Sequence, residues 1–298
     1  MFEQITVLGP GLLGASVLKA AHKRGLAKRT VVWAHRKERV QQCKKQPWCS
    51  AAYENLEDAL KDADIVVLAT PVDSIIDLLR SMGPHLKEGA IVTDAGSTKS
   101  LICNQGASSF PPLAYFVGSH PMAGSEKSGM ENADEALFEG RTCLVTPIPQ
   151  TNKAATECVV RFWENLGMNV TCISPEAHDQ AVANISHLPQ ILASSLCAYL
   201  GSTESHWHRF SGGGLRDTSR IASSPPDLWK EIILQNRSFI LRAIAGMEHE
   251  LHTVKSAILD NDASRLAHVF AQGKAYRDKL EKFYQHKKEA QSSIKKQP

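Results

Sequence analysis

The spacing of apolar positions divides the chain in two. In the first half, short and nearly continuous apolar runs recur: ITVLG (5–9), TVVWA (30–34), DIVVLAT (64–70), AIVTDA (90–95) and YFVGSHP (115–121). Between them, residues 11–25, 72–82 and 97–106 repeat their apolar positions at helical spacing. Strands apolar on both sides and separated by helices predict a parallel sheet covered on both faces. That pattern is a doubly wound, Rossmann-type α/β domain. TCLVTP (142–147) and NVTCIS (169–174), flanking a helix at about 152–166, finish the sheet.

After Ser174 the strand pattern stops and long helical stretches take over. Their interruptions, SGGG (211–214) and SSPP (223–226), read as loops. Pro189 falls inside the first stretch and predicts a kink or restart there. The expected division is therefore an α/β domain over 1–174 and an all-α domain over 175–298. The polar, lysine-rich end KKEAQSSIKKQP is expected to fray.

Composition narrows the class of function. A net charge of +3 with no long basic stripe argues against nucleic acid as a partner. No run of 18 apolar residues occurs, and MFEQITVLGPGLLG lacks the basic start of a signal peptide, so no membrane partner is expected. Seven scattered cysteines without a Cys-x-x-Cys fit a reducing cytoplasm and offer no zinc site. His206-x-His208 and His249-x-x-His252 read as exposed side chains, so no metal is expected.

Gly9-Pro-Gly11-Leu12-Leu13-Gly14 matches G-x-G-x-x-G, here leaving a strand and opening a helix. Gly9 permits the tight turn, Gly11 lets a pyrophosphate approach the backbone, and Gly14 permits close helix–strand packing. The helix start supplies unpaired N–H groups for the phosphates. At the end of the second strand, where an NAD enzyme places an acidic residue, the chain reads Ala34-His35-Arg36-Lys37-Glu38-Arg39. Arg36 can bind a 2′-phosphate with two charge-assisted hydrogen bonds, assisted by His35, Lys37 or Arg39. The expectation is a preference for NADP, with NAD possible. Thr70 and Pro71, at the end of the third of these strands, complete the cofactor contacts.

The chemistry falls at two further strand ends, the side on which open sheets bind ligands. They carry Asp94-Ala-Gly-Ser97-Thr-Lys99 and Gly118-Ser-His120-Pro-Met-Ala-Gly-Ser125-Glu126. A histidine there suits general-base work near neutral pH. Together with Ser186-His187-Leu-Pro189 and Gly212-Gly-Gly-Leu-Arg216-Asp-Thr-Ser-Arg220-Ile-Ala222, with Trp229 beyond, these motifs resemble the prephenate and arogenate dehydrogenases of tyrosine biosynthesis. The resemblance spans nearly the whole chain in the family's order.

The resemblance implies the following roles. His120 takes the proton of the ring 4-hydroxyl while hydride leaves C4 for the nicotinamide, and Ser97 orients that histidine. Arg220 grips a substrate carboxylate. His187 lies near the substrate side chain, where a cation would suit a keto acid. Arg216 holds a position usually basic in the family, and Ser125 and Glu126 line the pocket. The helical half binds substrate and joins two subunits. Two domains use up 298 residues, so neither a fused chorismate mutase nor an ACT domain is expected. Two alternatives stand beside this reading. One is a β-hydroxyacid-type dehydrogenase, which would want a lysine between 175 and 200 where this chain has none. The other is a non-catalytic NADP sensor, which would not need Ser97, His120 and Arg220 together.

Overall fold

The computed structural model describes residues 1–110, 114–124, 127–203 and 206–294, with side chains as far as residue 285. Its strands are β1 (Phe2–Leu8), β2 (Ala27–Trp33), β3 (Ala51–Tyr53), β4 (Ile65–Leu68), β5 (Ile91–Asp94), β6 (Tyr115–Pro121), β7 (Thr142–Thr146) and β8 (Asn169–Cys172). Helices α1 (Leu12–Lys23), α2 (Lys37–Lys44), α3 (Leu56–Leu60), α4 (Val72–Met82), α5 (Ser100–Ser109) and α6 (Lys153–Asn165) lie between them. The strands form one sheet in the order β3-β2-β1-β4-β5-β6-β7-β8.

β1 to β6 run parallel, as the apolar pattern predicts, but β7 pairs antiparallel with β6, and β8 then runs parallel to β7. The sheet is therefore mixed at this side. A parallel pairing needs a crossover, commonly a helix. Between β6 and β7 the described residues contain only a short 3₁₀ turn, Met130–Asn132, so the chain returns directly.

Alternate residues of each central strand feed opposite faces. Ile5, Val7, Ile65 and Val67 join one core with Leu18, Val145, Phe162 and Trp163. Leu8, Val66 and Leu68 join the other with Ile75, Leu79, Val92 and Ile102. Burial on both faces is why these strands read as continuous apolar runs.

β6 changes neighbours along its length. Tyr115 to Val117 pair with β5, while Gly118 to Pro121 pair with β7. Gly118 sits at the change-over, where a Cβ would stand 2.5 Å from Thr146 Oγ1 and 2.6 Å from Cys103 Sγ. The ends of β5 and β6 consequently part, and polar side chains occupy the opening.

Contacts group the chain into two compact units, Met1–Ile240 and Leu241–Pro298. The first contains the sheet and α7 (Pro175–Val182), α8 (Leu188–Gly201), α9 (Gly213–Ser219) and α10 (Pro226–Gln235). Trp229 and Ile232 of α10 pack into the Leu8–Val66 core. The interruption expected at Pro189 is a π-helical turn over Ala183–His187, with α8 restarting at Leu188. Gly213 and Gly214, read as loop, begin α9 instead. The long second stretch breaks at Asn236 into α10 and α11 (Arg237–Leu259).

The second unit holds most of α11 and α12 (Ala263–Ile294). The end expected to fray is helical to Ile294, since Lys, Glu, Ala and Gln are good helix formers. Among the described residues no helix is long and apolar enough to cross a membrane.

Candidate active site

Parallel strands bring their C-terminal ends to one edge of the sheet, and the candidate site lies along it. The order reverses between β1 and β4, which leaves a crevice there. A cavity of about 980 Å³ opens at this place. Its walls include Gly9 and Gly11, His35, Arg36 and Arg39, and Thr70 and Pro71. Lys37 is the exposed first residue of α2 and does not line it, and Leu12, Leu13 and Gly14 contribute the start of α1 instead.

The glycine loop is built for close approach. Gly9 has φ +95°, a left-handed conformation that favours glycine, and its Cβ would lie 2.7 Å from Thr70 Cγ2. A Cβ on Gly14 would lie 2.2 Å from the Gly9 carbonyl oxygen. Gly11 is the N-cap of α1 without a side-chain cap, and no atom stands within 4 Å of where its Cβ would be. The buried Thr70 Oγ1 has no hydrogen-bond partner. A cradle that side chains cannot enter, an uncapped helix start and an orphaned hydroxyl fit the diphosphate of a dinucleotide.

Several side chains of this cavity were not foreseen from the sequence, Trp33, Asp77 and Glu131 among them. Trp33 forms part of its wall, with Nε1 donating to the Glu54 carbonyl at 2.9 Å. Glu131, on the turn after β6, lies 3.7 Å from Arg39. One of the expected cations is thus already paired with a carboxylate.

The second half of the site lies where β5 and β6 part. Lys99 and Asp94 form a fully buried ion pair. Asp94 also accepts from Gly96 N–H at 2.8 Å and Ser119 N–H at 3.0 Å, tying the two strand ends together. Trp163 of α6 donates to Ser119 Oγ at 2.9 Å from the opposite side. His120, the next residue, is held on this clamp and is nearly inaccessible.

The partner of His120 comes from α7. His120 Nδ1 lies 2.9 Å from His178 Nε2, and His178 Nδ1 lies 2.8 Å from Asp179 Oδ1. Asp179 accepts from the Lys99 N–H at 2.8 Å and the Ser100 N–H at 2.9 Å, so its carboxylate caps α5. Burial raises the Asp179 carboxyl, but the bonds from His178 and Ser100 outweigh it and hold it below the usual range. Burial pushes His120 well below the ordinary histidine value, reinforced by the neighbouring His178 ring and the Lys99 cation. Burial lowers His178 as well, against the opposing pull of Asp179.

Neither His178 nor Asp179 was singled out from the sequence. The available signal was an adjacent His-Asp pair in a helix with apolar neighbours Ala177, Ala181 and Val182. Ser97, expected to orient this histidine, sits half-buried in the turn before α5, and the Nδ1 of His120 is engaged by His178.

His187 ends the π-helical turn and is almost fully buried. Asn236 Nδ2 donates to the Asp179 carbonyl at 2.8 Å and meets His187 Nδ1 at 3.2 Å. Trp229 stands edge-on to the ring at 5.9 Å between centroids. Burial lowers His187 to about 4, so it is neutral at neutral pH, which corrects the expected cation. It offers a hydrogen bond in place of a charge. Arg216 lies on α9 and Arg220 begins the following 3₁₀ turn, both exposed. Ser125 and Glu126 lie outside the described residues. Among the described residues no group of three or more His, Cys, Asp or Glu is arranged to hold a metal ion.

Residues 18–172 match the nucleotide-binding domain of prephenate dehydrogenase, and residues 174–272 match the dimerization domain of the same family. The chain belongs to the prephenate dehydrogenase family. This dehydrogenase is 33% identical to the prephenate dehydrogenase of Bacillus subtilis over 94% of its own length and 76% of that protein. Among solved structures it resembles the Aquifex aeolicus prephenate dehydrogenase in complex with hydroxyphenyl propionate and NAD+, with TM-score 0.86, 29% identity and coverage of 94% and 99%. It also resembles the Synechocystis arogenate dehydrogenase, with TM-score 0.80, 28% identity and coverage of 93% and 99%. Its nucleotide-binding half is therefore that of an NAD(P)-dependent oxidoreductase.

Proposed function

We propose that this dehydrogenase oxidatively decarboxylates a cyclohexadienol carboxylate, prephenate or arogenate, with NADP as preferred hydride acceptor and His120 as general base. The observation carrying the reading is His120 itself. It stands at the same sheet edge as the glycine cradle, and burial keeps it unprotonated at neutral pH. Gly9, Gly11 and the start of α1 would hold the diphosphate, and Thr70 has an unmatched hydroxyl to offer. The bound nicotinamide supplies a hydride acceptor.

The protein's own part is orientation and one proton. His120 accepts the proton of the ring 4-hydroxyl as C4 becomes carbonyl-like. Departure of the ring carboxylate as CO₂ restores aromaticity and leaves a phenolate, to which His120 returns the proton. Aromatisation supplies the driving force, so positioning and a base suffice. Arg220 fixes a substrate carboxylate through its planar fork, with Arg216 adding charge nearby. His187 donates through Nε2, because its Nδ1 accepts from Asn236. Ser97, which makes no side-chain hydrogen bond among the described residues, contacts the ring hydroxyl.

The NADP reading rests on Arg36 and on the lack of an acidic residue at the end of β2. Glu131 works against it by occupying Arg39. We read the protein further as a homodimer joined through its helical half. Leu251, Leu259, Phe270 and Tyr276 of α11 and α12 are exposed, as dimer-forming faces are in a single chain. All seven cysteines are unpaired, which suits a reducing cytoplasm. Steady-state kinetics with prephenate and arogenate, each with NADP and NAD, test the assignment. Turnover of neither substrate overturns it.

A further inference from the structure

We propose that His178 and Asp179 are positioning residues forming a proton relay with His120, in which His178 takes the Nδ1 proton of His120 as His120 takes the substrate's. This rests on His120 being the base.

The hydrogen-bond chain admits one assignment of protons. Asp179 accepts two backbone N–H groups, one at each oxygen, and is ionised. His178 Nδ1 faces that carboxylate at 2.8 Å and therefore carries a proton. A neutral imidazole has one N–H, so His178 Nε2 is bare. His120 Nδ1, 2.9 Å from it, must then be the donor. What remains on His120 is the lone pair of Nε2, the form a base requires. Asp179 thus fixes the tautomer of a ring it does not touch.

The same chain solves a charge problem. A proton gained by His120 alone would leave a cation in a buried place already close to Lys99. If the Nδ1–H bond of His120 breaks as the Nε2–H bond of His178 forms, the positive charge moves one ring further, against the Asp179 carboxylate. His178 Nδ1–H stays on Asp179 throughout. When the phenolate forms, each transfer reverses, so no further reactant is consumed. The groups facing the pair are Lys99 and its partner Asp94 from the β5–α5 turn, Asp179 from α7, His187 from the π-helical turn, and Cys143 of β7, whose thiol burial keeps protonated.

His178→Gln separates relay from scaffold, because glutamine still accepts from His120 Nδ1–H and donates to Asp179 but cannot carry the proton. It should lower kcat roughly 100-fold and leave substrate KM and the NADP Kd within about twofold. The acid limb of its kcat/KM profile should move to lower pH, because protonation must then rest on His120. In the unmodified enzyme, ¹⁵N spectra at neutral pH should show His120 and His178 both protonated at Nδ1. Normal kcat with an unmoved acid limb in the variant, or Nε2-protonated His178 in the native protein, overturns the relay. The spectra decide even if the variant fails to fold. His120→Asn keeps the two readings apart: turnover retained there removes the base itself, whereas an inactive His120→Asn beside a normal His178→Gln removes only the relay.

Discussion

The cofactor cradle and the proton chain lie along the same sheet edge but are made in different ways. The cradle comes from local sequence: three glycines within six residues, one strand end and one helix start. Its work is done by backbone N–H groups and by space that a Cβ would fill. The chain draws on β6, α7 and the first N–H groups of α5, elements up to 80 residues apart. Its work is done by side chains whose protonation depends on burial. Backbone devices tolerate exposure and need little support. A neutral buried histidine needs the whole surrounding fold, including the Asp94–Lys99 pair beneath it.

If the two regions are separable, His120→Asn should cut kcat by about 10³-fold and leave the NADP Kd unchanged in a fluorescence titration. Loss of cofactor binding in that variant would show that the regions are one. Acid should strike the chain first. His187, His178 and His120 all have folded pKa values below the unfolded histidine value. Such groups bind protons more readily when unfolded, so stability falls as pH drops from about 6.5 towards 4. For His187 the loss amounts to about 3 kcal/mol. Calorimetry across that range should show a shallower slope for His187→Gln.

Arg220→Ala should raise substrate KM about tenfold with a small change in kcat, since it removes binding shared by ground and transition states. Equal losses in kcat and kcat/KM would place Arg220 within the chemistry instead. The smallest effect belongs to the cradle. Glu131→Gln frees Arg39 from a partly exposed pair, so the ratio of kcat/KM for NADP over NAD should rise about threefold. The Kd of 2′,5′-ADP should tighten alongside it. An unchanged ratio would mean that Arg39 takes no part in selecting the phosphate.

Legibility in the sequence followed the same division. The helix read at 72–82 is α4 to the residue, and the glycine loop stands where the pattern put it. β3 escaped because three residues make too short a run, and α2 because only Val40 and Cys43 of KERVQQCK are buried. The direction of β7 escaped because alternation of apolar residues carries no sense of direction. His120 was legible as a histidine at a strand end, yet its partner was not. Nothing within ten residues of His178 indicates that α7 presses against β6. The neutral state of His187 was equally invisible, since it depends on Trp229 and Asn236 more than forty positions away.

The π-helical turn at Ala183–His187 sets a phase. Eight residues of regular α-helix carry a side chain through about 800°, which would leave His187 some 80° around the axis from Asp179. One residue absorbed by the wider turn brings that offset back to about 20°, onto the same side. Asn236 can then reach the backbone of one and the ring of the other with a single amide group. Deleting one residue from this turn would restore an unbroken helix and keep His187 near that 20° offset, whereas regular α-helix at the present length would swing it about 80° away. The irregularity works as an angular gear that brings Asp179 and His187 to one amide.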